Sequence, residues 1–306
     1  MGAVLPPIYG PGAAERVLED FESAPIPDLH KAMFRFVGKL TRRSWEIGPA
    51  DLDGLRTVGL RDADIVLWAQ IAALQGWWTM SADGSGIPLD GDALTGPVLG
   101  RTREWYGGAP EGLTAVDAPG TPEASGAVER ASGPGPIAWV DRGETGEAWE
   151  RAAARARERY GFVPNLWRAV SLEPAFLRRH ELALELLERP QSATLSPRLH
   201  ALLRHQTARI HRSRYMLPTA EAALARAGAR ADEPLDAVER TVLGVGAKVA
   251  RHAYKVVPED AAAFREAGLG DEGYVDALNA VAIETSFDRL ANALGVAPDA
   301  APLLAS

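Results

Sequence analysis

Apolar residues along this chain recur mostly at spacings of three and four. The stretches DADIVLWAQIAALQGWW (62–78), EAWERAAARARERYGF (147–162), PAFLRRHELALELLE (174–188) and PRLHALLRHQTARIHR (197–212) each lay an apolar stripe along one side of a helix. Helix starts are marked by LSP at 195–197 and GPAD at 48–51. In both, proline sits at or just before the first turn, where its missing N–H costs nothing. Few segments alternate with period two, so the pattern predicts an all-α fold.

The pattern also repeats. Residues 39–90 lie without a gap over 248–299, and Pro49/Pro258, Asp51/Asp260, Arg56/Arg265, Gly59/Gly268, Leu60/Leu269 and Asp62/Asp271 recur. These positions are a helix start, a C-terminal glycine and the aspartate opening the next helix, where a helix-turn-helix needs particular chemistry. A duplicated helical unit explains them. Between Gly107 and Pro136, glycine and proline fill twelve of thirty positions and large apolar residues are scarce. That composition suits a linker, with an ordered loop over a site as the alternative. The expected organisation is an N-terminal partial repeat (1–106), a Gly/Pro-rich linker or loop (107–136) and a helical domain (137–306).

Composition narrows the function. The chain has 306 residues, enough for a full core, and a formal net charge of -8 with Lys, Arg, Asp and Glu interleaved. Clustered positive charge is what phosphate backbones require, so no nucleic-acid partner is expected. The N-terminus MGAVLPPIYGPG lacks a basic region followed by an apolar core, and no window holds 18 uninterrupted apolar residues. A cytoplasmic protein with no membrane partner is the expectation. Cysteine is absent, which removes disulfides, thiolate nucleophiles, sulfenic-acid cycling and Cys-ligated metal centres together.

AGLGDEGYVDALNAVAIETSFDRLANALGV (267–296) resembles the closing helix pair of the alkyl hydroperoxidase D and carboxymuconolactone decarboxylase superfamily (AhpD-like). YGFVPNLWRAVSLEPAFLRRHELALELLE (160–188) is similar to its opening segment, and LSPRLHALLRHQTARI (195–210) to the helix that leads into its active site. The likeness covers most of 150–299, whereas 24–90 resembles only the later helices of the same unit. Redox members carry Cys-x-x-Cys-x-x-x-His with a glutamate twelve residues before the first cysteine, a relay that moves protons while a thiolate attacks. Here those places are held by Ala201, Ser213, Met216 and Ala220. Because the acid and the imidazole are lost along with both thiols, the resemblance implies a retained scaffold and an abandoned mechanism. It implies an AhpD-like helical fold and, since oligomers are common in the family, a homo-oligomer.

Several residues near that frame have chemistry to offer. His205, four residues after Ala201, falls on the same helix face, and Arg212 is placed two turns further along it. Together they could pass a proton or hold a carboxylate, while a packing histidine is the plainer role. Tyr215 could donate to a carbonyl or enolate oxygen, with Glu221 beside the vacated imidazole position; half-buried packing and a solvated helix residue are their alternatives. His200, His205 and His211 are spaced by five and six, which does not bring imidazoles to one face, so no metal is expected. SADGSG (81–86) follows a helix and not a strand, so no phosphate loop is read there. Trp68, Trp77, Trp78 and Met80 suit core packing, with an apolar pocket as the alternative.

Two functions follow. The first is a cofactor-free lyase or isomerase that performs an isomerisation, cyclisation, decarboxylation or elimination on a small apolar organic acid or ketone. Its catalytic set would be Tyr215, His205, Arg212, Ser213 and Glu221, with Ala201, Met216 and Ala220 lining the pocket. The second is a catalytically silent binding or assembly protein, with the old site filled and an apolar surface exposed. Thiol peroxide reduction is chemically excluded.

Overall fold

The structure is a computed structural model that describes residues 11–86, 146–172, 177–188 and 195–303. The described residues are helical, with no strand among them. In chain order the helices are α1 (Pro11–Asp20), α2 (Asp28–Arg43), α3 (Pro49–Thr57), α4 (Asp62–Ser85), α5 (Gly146–Tyr160), α6 (Asn165–Val170), α7 (Leu177–Glu188), α8 (Pro197–Ile210), α9 (Leu217–Arg226), α10 (Ala237–His252), α11 (Pro258–Glu266) and α12 (Gly270–Ala293). The predicted helices at 62–78, 147–162, 174–188 and 197–212 correspond to α4, α5, α7 and α8. The stretch 107–136 lies outside the described residues. No helix among them is long and apolar enough to cross a membrane.

The described residues up to Arg35 belong to one compact unit, and those from Phe36 onward to a second. In the first, Val17, Ala24 and Ile26 form a small core with Phe21 and Phe34 against it. The second is built on α4 and α12, which run antiparallel: Tyr274 near the start of α12 donates to the Gly84 carbonyl near the end of α4 at 2.7 Å. Further along the pair, Arg289 of α12 reaches back to Gly76 and Met80 of α4. Each helix has 24 residues, a length of about 36 Å. Gly84 permits the close approach, since a Cβ there would fall 2.9 Å from Leu278.

The repeat seen in the sequence is written into hydrogen bonds. Asp51 accepts the Gly48 amide at 2.8 Å and pairs with Lys39 at 2.8 Å. Asp260 accepts the Val257 amide at 2.8 Å and pairs with Lys248 at 2.6 Å. Arg56 donates to Asp62, and Arg265 to Asp271, both at 2.7 Å. Gly59 and Gly268 adopt left-handed φ values of 100° and 81°, and behind them the Leu60 and Leu269 amides close the turn onto Leu55 and Phe264. Glycine is the residue this C-terminal turn favours, because a side chain crowds the backbone there. The turn at 44–46 packs on α12 while its counterpart at 253–255 packs on α4, a two-fold exchange inside one chain.

Because Asp51 and Asp260 do the same work, Asp51→Ala and Asp260→Ala are each expected to cost about 1–2 kcal/mol. They share no partner, so the double variant is expected to lose the sum of the two costs. Urea unfolding of the single and double variants checks both the size and the additivity.

Candidate functional site

Ala201, Ser213, Met216 and Ala220 are all buried, the last two completely. Ser213 accepts the Met216 amide at 3.1 Å, so its hydroxyl oxygen is used in turning the chain into α9. His205 is also buried, and its charged form is disfavoured first by desolvation and then by Arg209. Tyr215 is committed elsewhere. Its hydroxyl donates to Asp299 Oδ2 at 2.6 Å and stands 3.4 Å from the Leu166 amide, while Asp299 Oδ1 accepts the Asn165 amide at 2.6 Å. The pair thus ties the C-terminal segment to the first turn of α6. Burial raises the tyrosine well above its usual range and the aspartate to about 6.

Arg212 and Glu221 stand apart from this group, both exposed. Arg212 does not continue the His205 face, because α8 ends at Ile210. The Arg212 amide bonds to the Arg209 carbonyl at 3.1 Å and the Ser213 amide to that of Ala208 at 2.9 Å, the double closure in which the residue at φ 49° is ordinarily glycine. An arginine there costs roughly 1 kcal/mol of backbone strain. Its guanidinium lies 5.3 Å from the Trp45 ring centroid, which offsets part of that cost.

Behind Ser213 lies a cluster of charged residues between α8 and α12. Arg204 Nε donates to Glu284 Oε2 at 2.9 Å with the two side chains 2% and 0% exposed, and Asp288 follows one turn later, also at 0%. Among the described residues, Glu284 Oε1, both Asp288 carboxylate oxygens, Arg204 Nη2 and Arg289 Nε have no hydrogen-bond partner. Desolvation, then the neighbouring Glu284, pushes the Asp288 carboxyl well above its usual range, against the opposing charges of Arg204 and Arg289. Glu284 is raised by burial, and Arg289 is lowered by it to about 10. Nearby, the His211 ring is 3.0 Å from Thr285 Oγ1, and Asn292 donates to the His211 carbonyl at 2.9 Å and to Ser44 Oγ at 3.1 Å. Two carboxyls sharing a dry site with two guanidiniums can store or pass a proton.

Sequence reasoning passed over these acids because they sit inside the stretch that carries the family resemblance. The available signal was Glu284, Asp288 and Arg289 standing as the only charges between Ala277 and Ala293. No family model and no curated protein matches the chain. Among the described residues, no group of three or more His, Asp or Glu is arranged to hold a metal ion.

Asp288 makes stability depend on pH. The native carboxyl keeps a proton that the unfolded chain releases above about pH 4, so its contribution is full in acid and falls by about 1.4 kcal/mol per pH unit until the native group ionises. Asp288→Asn cannot ionise and escapes this loss. The melting temperature of Asp288→Asn relative to the parent is therefore expected to be distinctly higher at pH 8 than at pH 5, measured by scanning fluorimetry.

Proposed function

We propose that the chain is a catalytically silent assembly protein on an AhpD-like helical unit, acting in the cytoplasm as a homo-oligomer. The observation that carries this reading is an open face of α4 whose repeat counterpart on α12 is covered. Trp68, Ile71 and Trp78 are 38%, 40% and 64% exposed. Their counterparts Ala277, Ala280 and Phe287 are buried on the helix that α7 and α8 cover, with Phe287 against His180 and Glu284 against Arg204. The first copy of the repeat has no helix equivalent to α8 within residues 39–90. Where α12 offers Glu284 and Asp288 to that helix, α4 has neutral Gln75 and Thr79, so the middle of the open face carries no charge.

A second copy of the chain fits this surface. With Leu182 and Leu186 of neighbouring α7, 45% and 41% exposed, the face leaves roughly 500 Å² of apolar side chain open. Pairing it with itself across a two-fold would bury about twice that, near the 1,000 Å² or so that a specific interface needs. The burial of Ala201, Met216 and Ala220 supports the silent half of the reading. Light scattering is expected to give the parent twice the chain mass, with Trp78→Glu monomeric at the same concentration and its melting temperature retained. A monomeric parent at tens of micromolar refutes the assembly.

The Glu284–Asp288 pair favours a second reading, a non-redox lyase or isomerase acting on a small organic acid or ketone by proton transfer. In that case the protein incorporates deuterium from heavy water beside the carbonyl of a ketone substrate, and Asp288→Asn abolishes the exchange while remaining folded. Nuclear magnetic resonance of a ketone panel checks this, and an unchanged rate in the variant removes the pair from the chemistry.

A further inference from the structure

Past α12 the Val296 amide bonds to the Ala291 carbonyl at 2.9 Å, and among the described residues no backbone-to-backbone hydrogen bond involves 297–303. Pro298 and Pro302 have no N–H to offer. Side chains of the body hold this stretch instead. Asn165 Nδ2 donates to the Ala297 and Pro298 carbonyls, each at 3.2 Å. The Asn165 amide and the Tyr215 hydroxyl donate to the two oxygens of Asp299, each at 2.6 Å. The Leu303 amide donates to Thr219 Oγ1 at 2.9 Å, and Leu303, Thr219 and Tyr215 are all buried. Every one of these bonds ends on α6, on α9 or on the turn between α8 and α9, so the stretch can lift as a unit without opening a helix.

We propose that residues 297–303 are a strap over Tyr215 and the first turn of α6, fastened through Asp299 in mild acid and loosened as the pH rises toward neutral. Asp299 is the latch because its two oxygens join both anchor points, and 297–303 carries no other ionisable side chain. Fastening takes this carboxyl out of water. Desolvation outweighs the Tyr215 hydroxyl, the Asn165 amide and the charge of Arg168 on α6, all of which favour the carboxylate, and lifts the group to about 6. Behind Tyr215 stand Tyr160 and Arg159 of α5 and Glu188 of α7. Burial raises both tyrosines, so they keep their protons through this range. A protonated Asp299 suits the fastened form, since its carbonyl oxygen keeps the Asn165 amide while its O–H turns to the tyrosine oxygen. In the lifted strap the carboxyl meets water and ionises above about pH 4. Fastening is therefore strongest below that pH, weakens about tenfold per pH unit up to 6, and levels off roughly a hundredfold weaker. Lifting bares the Tyr215 hydroxyl and the Asn165 amide, so access to both follows pH.

Hydrogen exchange of the full chain at pH 5, 6 and 7, corrected for the intrinsic rate, reads the lifting at the Leu303 and Asn165 amides. Protection at both is expected to fall about tenfold from pH 5 to pH 7, beyond any change at the Leu269 amide, which closes a helix end elsewhere. Asp299→Asn is neutral at every pH, and its side chain can still accept the Asn165 amide and donate to the tyrosine oxygen. Its strap protection is expected to stay level with pH relative to Leu269 and to exceed that of the parent at pH 7. Carbon-13 resonance titration of the Asp299 carboxyl in the parent is expected to give a midpoint of about 6. A midpoint of about 4, the value of a carboxyl in water, overturns the proposal. So does strap protection in the parent that is level or rises with pH, or a folded Asp299→Asn that loses protection as the parent does.

Discussion

The antiparallel contact of α4 with α12 is the constraint from which the larger unit follows. Two 24-residue helices related by the repeat lie side by side, and the turn of each copy packs on the long helix of the other while its short helix stays on its own. Such an arrangement buries one face of each helix at once, so neither copy has a complete core alone. The small residues set the spacing. Gly84 admits Leu278, and Gly76 leaves room for Arg289, whose Nη1 would lie 3.1 Å from any Cβ placed there. Of the two helices, it is α12 on which α8 packs, and there the copies differ.

That asymmetry explains where the charges are. On α12 the positions facing α8 are Glu284, Thr285 and Asp288, and α8 answers with Arg204 and, from its end, His211. On α4 the same register holds Gln75, Gly76 and Thr79, and no charged partner answers Gln75 or Thr79 among the described residues. Burying an ion pair is weak evidence for stability, because the desolvation of each charge rivals the attraction gained. What it enforces is register: removing either Arg204 or Glu284 strands a charge in the core, at about 3–5 kcal/mol. The carboxyls of Asp288 and Glu284 meet the same cost by being held toward their protonated forms.

The helical class, the positions of the main helices and the duplicated unit were legible because each rests on local chemistry. Apolar spacing, a proline at a helix start and a glycine at a left-handed turn are all readable from neighbours within a few residues. Of the frame, the turn that joins Ser213 to Met216 is local, and there the two residues are bonded. What could not be read is long-range. Nothing local tells that Tyr215 will meet Asp299, 84 residues on, or that Glu284 will meet Arg204, 80 residues back. Arg212 shows the other failure: helical periodicity carried it past the residue where α8 stops, because arginine gives no warning of a left-handed turn.

That turn has a consequence for how the chain can be divided. Four comparable helix ends, at 59, 228, 268 and 295, place glycine in the left-handed position, while the end of α8 places Arg212 there and rests its side chain on Trp45 from the first copy. A fragment beginning at 146 would keep the awkward backbone and lose the indole that compensates it. The segment from 146 onward, although it holds most of the described helices, therefore leans on the first copy for part of its backbone geometry: Trp45 is a structural cofactor supplied in the same polypeptide.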